Sequence, residues 1–273
     1  MKRGHFWRWL GITVLGLVLY VVFLLVFAPA DYVARAVTYF SRNTLVLQQP
    51  VGTLWHGSGV LVFGRTDLPS PSLPPSGQVQ WAIHPWKLLT ASLVTDLQFT
   101  GEETDVRGTL DLGLRRHILR DVVASAPVSS VASFYPAAAA IGLGGRIRVT
   151  TTTFEIRKES VHGTVELLWE NAASRLLPIT PVGDYKLQLV GQEKRISLRL
   201  GTVQGLLQIA ADGEWRLLED GTLRFQGTLA SATPQPALEP LLNAIGPLQS
   251  DGRRSFSYDT RLTPFKAAAL FPL

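Results

Sequence analysis

The chain has 273 residues, no cysteine and a formal net charge of +5 near neutrality. The missing cysteine excludes a disulfide framework, a thiolate zinc site and a cysteine nucleophile. Three of the five net charges come from Lys2, Arg3 and Arg8, with no acid among residues 1–30, so the remainder carries only +2 and makes no electrostatic case for a nucleic-acid partner.

Leu10 to Phe27, LGITVLGLVLYVVFLLVF, contains no charged residue. With Trp7 and Trp9 before it and Ala28 after it, the segment reaches the roughly 20 apolar residues that cross a bilayer. Lys2, Arg3 and Arg8 precede it and Asp31 follows, so the positive-inside rule leaves the N-terminus in the cytoplasm. The expectation is a signal anchor, with residues 1–30 as cytoplasmic N-terminus and transmembrane anchor and residues 31–273 as an exported domain, for which the lack of cysteine suits a periplasm. A cleaved signal peptide ending at Ala28-Pro29-Ala30 is the alternative; the apolar run exceeds the ~7–15 residues of a signal h-region, and Pro29 sits just before the cleavage residue. Because the run is apolar all round, it offers no polar face for docking and reads as a tether only.

From Tyr32 to Tyr39, Val33, Val37 and Phe40 fall at helical spacing. Strands follow at Leu45–Leu47 and Leu54–Phe63, and then Leu68 to Ser76, LPSPSLPPS, whose four prolines place it in a surface loop. After that loop, period-two alternation dominates. Val79, Trp81 and Ile83 alternate with Gln78, Gln80 and Ala82; Ile147 and Val149 alternate with Arg146 and Arg148; Tyr185, Leu187 and Leu189 alternate with Lys186 and Gln188. Ile196, Leu198 and Leu200 repeat the pattern, as do Leu223 and Phe225. Such strands have one apolar and one polar face and form half-buried antiparallel sheet. Asp212-Gly213, Asp220-Gly221 and Asp251-Gly252 read as hairpin turns, and Gly-Thr at Gly52, Gly108, Gly163, Gly201, Gly221 and Gly227 reads as a turn glycine before a strand opener. Two stretches break the alternation: His117 to Phe134, read as two short helices divided by Pro127, and Pro236 to Ile245, read as a helix stopped by Gly246 and Pro247. The fold class that results is mainly β: one N-terminal transmembrane helix, then an antiparallel, strongly curved β-sheet domain with one or two short helices. The many glycines and bulges are what bend such a sheet.

No catalytic, cofactor-binding or metal-binding residue is assigned. His5, His56, His84, His117 and His162 lack a partner at metal-ligand spacing. Gly57-Ser58-Gly59 lacks the G-x-S-x-G elbow, and Gly142-x-Gly144-Gly145 opens a strand, where a bulge or tight turn is the reading. Glu102, Glu103 and Asp105 read as a solvated turn. Of Trp55, Trp81, Trp86, Trp169 and Trp215, Trp81 and Trp215 are read as core aromatics; one that stayed exposed would mark an interaction surface.

Taken in order, Gly52-Thr53-Leu54-Trp55-His56-Gly57, Trp81-x-x-x-Pro85-x-x-Leu88-Leu89, Gly144-Gly145, Pro181-x-Gly183-x-Tyr185 and Leu241-Leu242-x-x-Ile245-Gly246 followed by Asp251-Gly252 resemble protein N of the bacterial type II secretion system. The Leu68–Ser76 insertion is longer than that family leads one to expect. The resemblance implies a non-enzymatic, inner-membrane-anchored periplasmic component of the machinery that exports folded proteins across the outer membrane. Its implied partners are the inner-membrane platform proteins of the same system and, more weakly, the secretin, with the membrane engaged through residues 10–27 and no cofactor. An alternative from another class is an AsmA-like lipid-handling domain, in which the apolar sheet face forms a lipid groove.

Overall fold

A computed structural model describes residues 3–41, 43, 45–63, 76–132, 140–177, 179–232, 248–250 and 252–261. Helix α1 spans Arg3–Val26 and α2 Asp31–Phe40. Thirteen strands follow: β1 Leu45–Gly52, β2 His56–Phe63, β3 Gly77–Ile83, β4 Ser92–Gly101, β5 Asp105–Gly113, β6 Arg116–Pro127, β7 Leu143–Arg157, β8 Val161–Ser174, β9 Gly183–Glu193, β10 Arg195–Gly205, β11 Leu207–Trp215, β12 Thr222–Ser231 and β13 Arg254–Arg261. The short helices α3 Pro85–Leu88 and α4 Val128–Ala132 follow β3 and β6. All strands belong to one sheet in which each pairs antiparallel with its neighbours in sequence. The mainly β, antiparallel expectation holds.

Register explains how a single sheet is held together. Cross-strand partners put their side chains on the same face. One continuous row runs Val79, Phe99, Val106, Ala124, Val149, Leu167, Leu187, Leu200, Ala211, Gly227, Phe256, from β3 to β13. The next row is polar: Gln80, Gln98, Arg107, Val123, Thr150, Glu166, Gln188, Arg199, Asp212, Gln226, Ser257. The sheet therefore has one apolar and one polar face across nearly its whole width.

No second sheet covers the apolar face among the described residues. Helix α2 covers its start, with Val33 and Ala34 packed against the buried Ala30, Leu47 and Trp81. Further along, the connections fold back over it. Leu217 and Leu218 pack on Phe154, Val161 and Ile196 at one end. At the other end, Leu177 packs on Ala172, Val182, Tyr185, Leu207 and Leu229. Tyr185 is buried there and donates to the Leu207 carbonyl at 3.1 Å; burial, then the neighbouring Asp184 charge, pushes its hydroxyl pKa up to about 12.

Several expectations are corrected. His117 to Pro127 is strand, and only Val128–Ala132 beyond the proline is helical; Phe134 lies outside the described residues. The cause is a bulge. The β5–β6 register shifts between Arg107 and Thr109, with Asp121 at φ +49°. One extra residue brings Leu119 and Val122 to the same face three positions apart, a spacing that mimics a helix. Asp212-Gly213 is no turn but lies inside β11, where Gly213 pairs with Leu198 and Phe225; a Cβ there would collide with the Phe225 ring. Gly221 does turn the chain, at φ +71°. Of the Gly-Thr glycines, Gly108, Gly163, Gly201 and Gly227 sit within strands. Residues 68–75 and the expected helix Pro236–Ile245 lie outside the described residues, as does Asp251.

The tether reading also needs correction, because α1 is not free of the sheet. Trp55 Nε1 donates to the Leu25 carbonyl at 2.8 Å, and the Leu54 N–H donates to the Ala28 carbonyl at 2.7 Å. A helix's last carbonyls lack partners inside the helix, and the β1–β2 turn supplies one. Among the described residues no helix is long and apolar enough to cross a membrane. The side chains of Ile12–Leu17 and Leu19–Phe27 are exposed.

Two glycines of the same motif should part company on substitution. Gly163 sits at φ +118°, and an added Cβ would overlap the Thr153 carbonyl oxygen, whereas Gly201 has open space around it. Gly163→Ala is expected to lose about 2–4 kcal/mol in urea unfolding. Gly201→Ala should leave stability unchanged or raise it by up to about 1 kcal/mol.

Candidate functional site

The sheet encloses a cleft of about 1200 Å³ against its polar face. Its lining comes from every strand from β1 to β8: Val51, Ser58, Gln80, Gln98, Arg107, Asp121, Thr150 and Glu166. Laid flat, eight strands would span roughly 33 Å, so one cleft touching them all requires the sheet to bend with its polar face inward. The bend coincides with bulges. Gly108, Asp121, Thr151 and Thr152 line the cleft where the β5–β6 and β7–β8 registers shift, and bulges raise local twist and curvature. Buried Thr151 donates across the β7 bulge to the Thr164 carbonyl at 2.7 Å.

The best-organised polar group in the cleft is Asp96. Thr109 Oγ1 donates to Asp96 Oδ1 at 2.5 Å, and His84 Nε2 lies 2.9 Å from Oδ2. The Thr109 hydrogen bond first, and His84 second, hold the carboxyl below the usual aspartate range. Position explains the cluster: Asp96 and Thr109 are register partners on β4 and β5, and His84 follows the last residue of β3. An aspartate fixed in its ionised form by a hydroxyl is a poor general base. Elsewhere the polar face carries cross-strand ion pairs, including Lys186–Glu166 at 2.9 Å, Arg199–Asp212 at 3.2 Å and Arg224–Asp259 at 3.0 Å. Exposed pairs of this kind contribute little each and keep the face solvated.

The residues weighed in the sequence do not converge. His56 lines the cleft, His84 binds Asp96 and His162 is exposed on β8. His117 is half-buried on β6, with Nδ1 buried and unpartnered, and the side chain of His5 lies outside the described residues. No group of three His, Asp or Glu side chains capable of holding a metal occurs among the described residues. Gly142 and Gly145 have positive φ, and the register shifts between Gly144 and Arg146, as expected of a bulge. Glu102 and Glu103 are exposed in the β4–β5 turn, where the Glu103 carbonyl accepts from Arg146 at 2.9 Å. Trp81 is buried as expected and Trp55 with it; Trp169 and Trp215 are half-buried, and Trp86 stands 79% exposed. Sequence reasoning missed the Asp96 cluster because its members are brought together only by strand register.

The arrangement suits hydrogen bonding to another polar surface. A family model described as type II secretion system (T2SS), protein N, matches residues 43–257. That match takes in the sheet from β1 into β13 and leaves out α1 and α2. Neither the curated proteins nor the solved structures give a match.

Asp96 should leave a pH signature. Its folded pKa lies below the unfolded value of about 4, so its stabilisation is present above that value and is lost as pH falls through the lowered one. The side chain is half exposed, which limits the effect to less than about 1 kcal/mol. Asp96→Asn is therefore expected to lower the urea midpoint slightly at about pH 7, with the difference from the native chain shrinking as pH falls below the unfolded value of about 4 and through the lowered folded one.

Proposed function

The chain belongs to the type II secretion system protein N family, and we propose that it serves as an inner-membrane-anchored periplasmic component of that system, with a structural or assembly role. Type II secretion itself rests on the family match across the sheet, which is the observation that carries the reading. Family membership places its partners among the other components of the system; the proposal narrows them to the inner-membrane platform proteins, with the secretin as a further candidate. The anchor is supported by the charge-free run Leu10–Phe27 and the three cations before it, which argue for a cytoplasmic N-terminus and a periplasmic residue 31–273 domain. The bond from Trp55 to the end of α1 fits a helix whose last turn emerges beside the sheet.

The position of the cleft favours this reading over the AsmA-like alternative. A lipid groove needs a concave apolar surface, whereas the sheet bends around Gln80, Gln98, Arg107 and Glu166. The apolar face is instead covered in part by α2 and the folded-back connections. Polar side chains in a concave row match a polypeptide surface better than an acyl chain.

The proposal is tested by deletion and complementation. Loss of the gene should abolish or strongly reduce export of the system's substrates, and the full chain should restore it. A version with residues 1–30 replaced by a cleavable signal peptide should restore it only weakly. A reporter fused to the C-terminus should be active in the periplasm alone. Unchanged export on deletion, or reporter activity in the cytoplasm, would overturn the assignment.

A further inference from the structure

We propose that the β3–β4 connection, Trp86 to Leu89, is a second membrane contact, seated at the surface of the bilayer that holds α1. The inference rests on the anchor reading above and adds to it an orientation for the sheet.

The connection is exposed and ordered at once. Trp86 is 79% exposed, Leu88 44% and Leu89 82%, with Lys87 among them. Single exposed apolar residues are ordinary, but a large aromatic and two leucines within four positions form a patch. The patch is not a floppy loop. Lys87 N–H donates to the His84 carbonyl at 3.1 Å, Ala91 N–H to the Leu88 carbonyl at 3.0 Å, and Thr90 Oγ1 to the Lys87 carbonyl at 2.8 Å. The backbone is fixed in a shape that presents these side chains outward.

Its place relative to α1 is set by a short chain of hydrogen bonds. Trp55 Nε1 donates to the Leu25 carbonyl at 2.8 Å, and the Ile83 N–H donates to the Trp55 carbonyl at 2.6 Å. Pro85 opens α3 two residues later. Leu25 lies two residues inside the end of the charge-free run, so the start of α3 stands within roughly 10–15 Å of the outer hydrocarbon boundary. Tryptophan and lysine are the side chains that settle at such a boundary, the indole in the headgroup layer and the ammonium among phosphates.

Charge separates the two ends of the neighbouring strands. Connections β3–β4 and β5–β6 lie at the same end as the β1–β2 turn. They carry Lys87 and Arg115, the latter beside Leu114, which is 87% exposed. The β4–β5 turn at the opposite end carries Glu102, Glu103 and Asp105. A basic, apolar end beside the anchor and an acidic end away from it match an anionic lipid surface below and water above.

The absence of cysteine makes the test direct. The full chain, reconstituted in vesicles of phosphatidylethanolamine with a minority of phosphatidylglycerol, is spin-labelled singly at Leu89→Cys, Trp86→Cys, Leu17→Cys and Val203→Cys. Collisions with oxygen and with a water-soluble nickel chelate are then compared by electron paramagnetic resonance. Val203 is exposed near the opposite end of the sheet and reports water; Leu17 lies within α1 and reports the anchor. The expected result is an oxygen-to-nickel ratio several-fold above that of Val203→Cys at both Leu89 and Trp86, below that of Leu17→Cys. Ratios at Leu89 and Trp86 equal to that of Val203, with Leu17 in lipid, overturn the contact and leave the anchor standing. Leu17 in water removes the anchor and the contact together. Labels at Leu89 and Trp86 shielded from both agents mark a protein–protein surface and overturn the lipid contact.

Discussion

The whole structure depends on strand register. Among the described residues, thirteen strands form a sheet with no second sheet packed on it, and such a sheet can be stable only if its apolar side chains stay on one face. The row from Val79 to Phe256 does this, strand after strand. A slip of one residue anywhere would turn the rest of that strand over and put its polar side chains on the apolar face. The bulges are therefore more than local irregularities. Where β6 gains a residue at Asp121 its phase changes, and Leu119 before the bulge and Ala124 after it still face the same way. The extra residue preserves the face while bending the strand, and the cleft lies along that bend.

That constraint also separates what the sequence made legible from what it concealed. Alternation was plain in β3, in β12 and in the stretches Tyr185–Leu189 of β9 and Ile196–Leu200 of β10, where unbroken register leaves the period of two intact. It failed in β6, because a bulge converts alternation into a spacing of three and imitates a helix. Turn chemistry failed for a related reason. Asp212-Gly213 has turn composition, but Gly213 is small so that the Phe225 ring can lie beside it, a packing demand that composition cannot distinguish from a demand for positive φ. The Gly-Thr glycines divide similarly: Gly163 does need its φ of +118°, but inside β8, opposite the β7 bulge, and not for a turn. The Asp96 cluster was out of reach because its three members lie on different elements and meet only through register.

The contact between Trp55 and α1 was hidden by the same kind of distance. The sequence shows an apolar helix with no polar face, from which a passive tether follows. What it does not show is that a carbonyl at the helix end remains available after intrahelical bonding is complete, and that an indole 30 residues away is placed to meet it. The motif Gly52-Thr53-Leu54-Trp55-His56-Gly57 holds that indole. Gly52, at φ +102°, reverses the chain, and Trp55 is buried between the helix end and the neighbouring strand, with its own carbonyl accepting from Ile83.

This coupling changes what the sheet can do within a secretion assembly. A domain on a slack linker samples all orientations, and partners must select one at an entropic cost. Here Leu25, Ala28 and Ala30 are each hydrogen-bonded to the β1–β2 turn, and α2 then packs along β1. With that many bonds in so few residues, the first strands and the end of α1 move as one body. Orientation imposed at β1 passes along a sheet in which every strand is bonded to the next, so the polar cleft of β1–β8 holds a defined direction relative to the end of α1. A component of an export machine can contribute in this way, by presenting a polar concave surface to its partners at a fixed angle to α1.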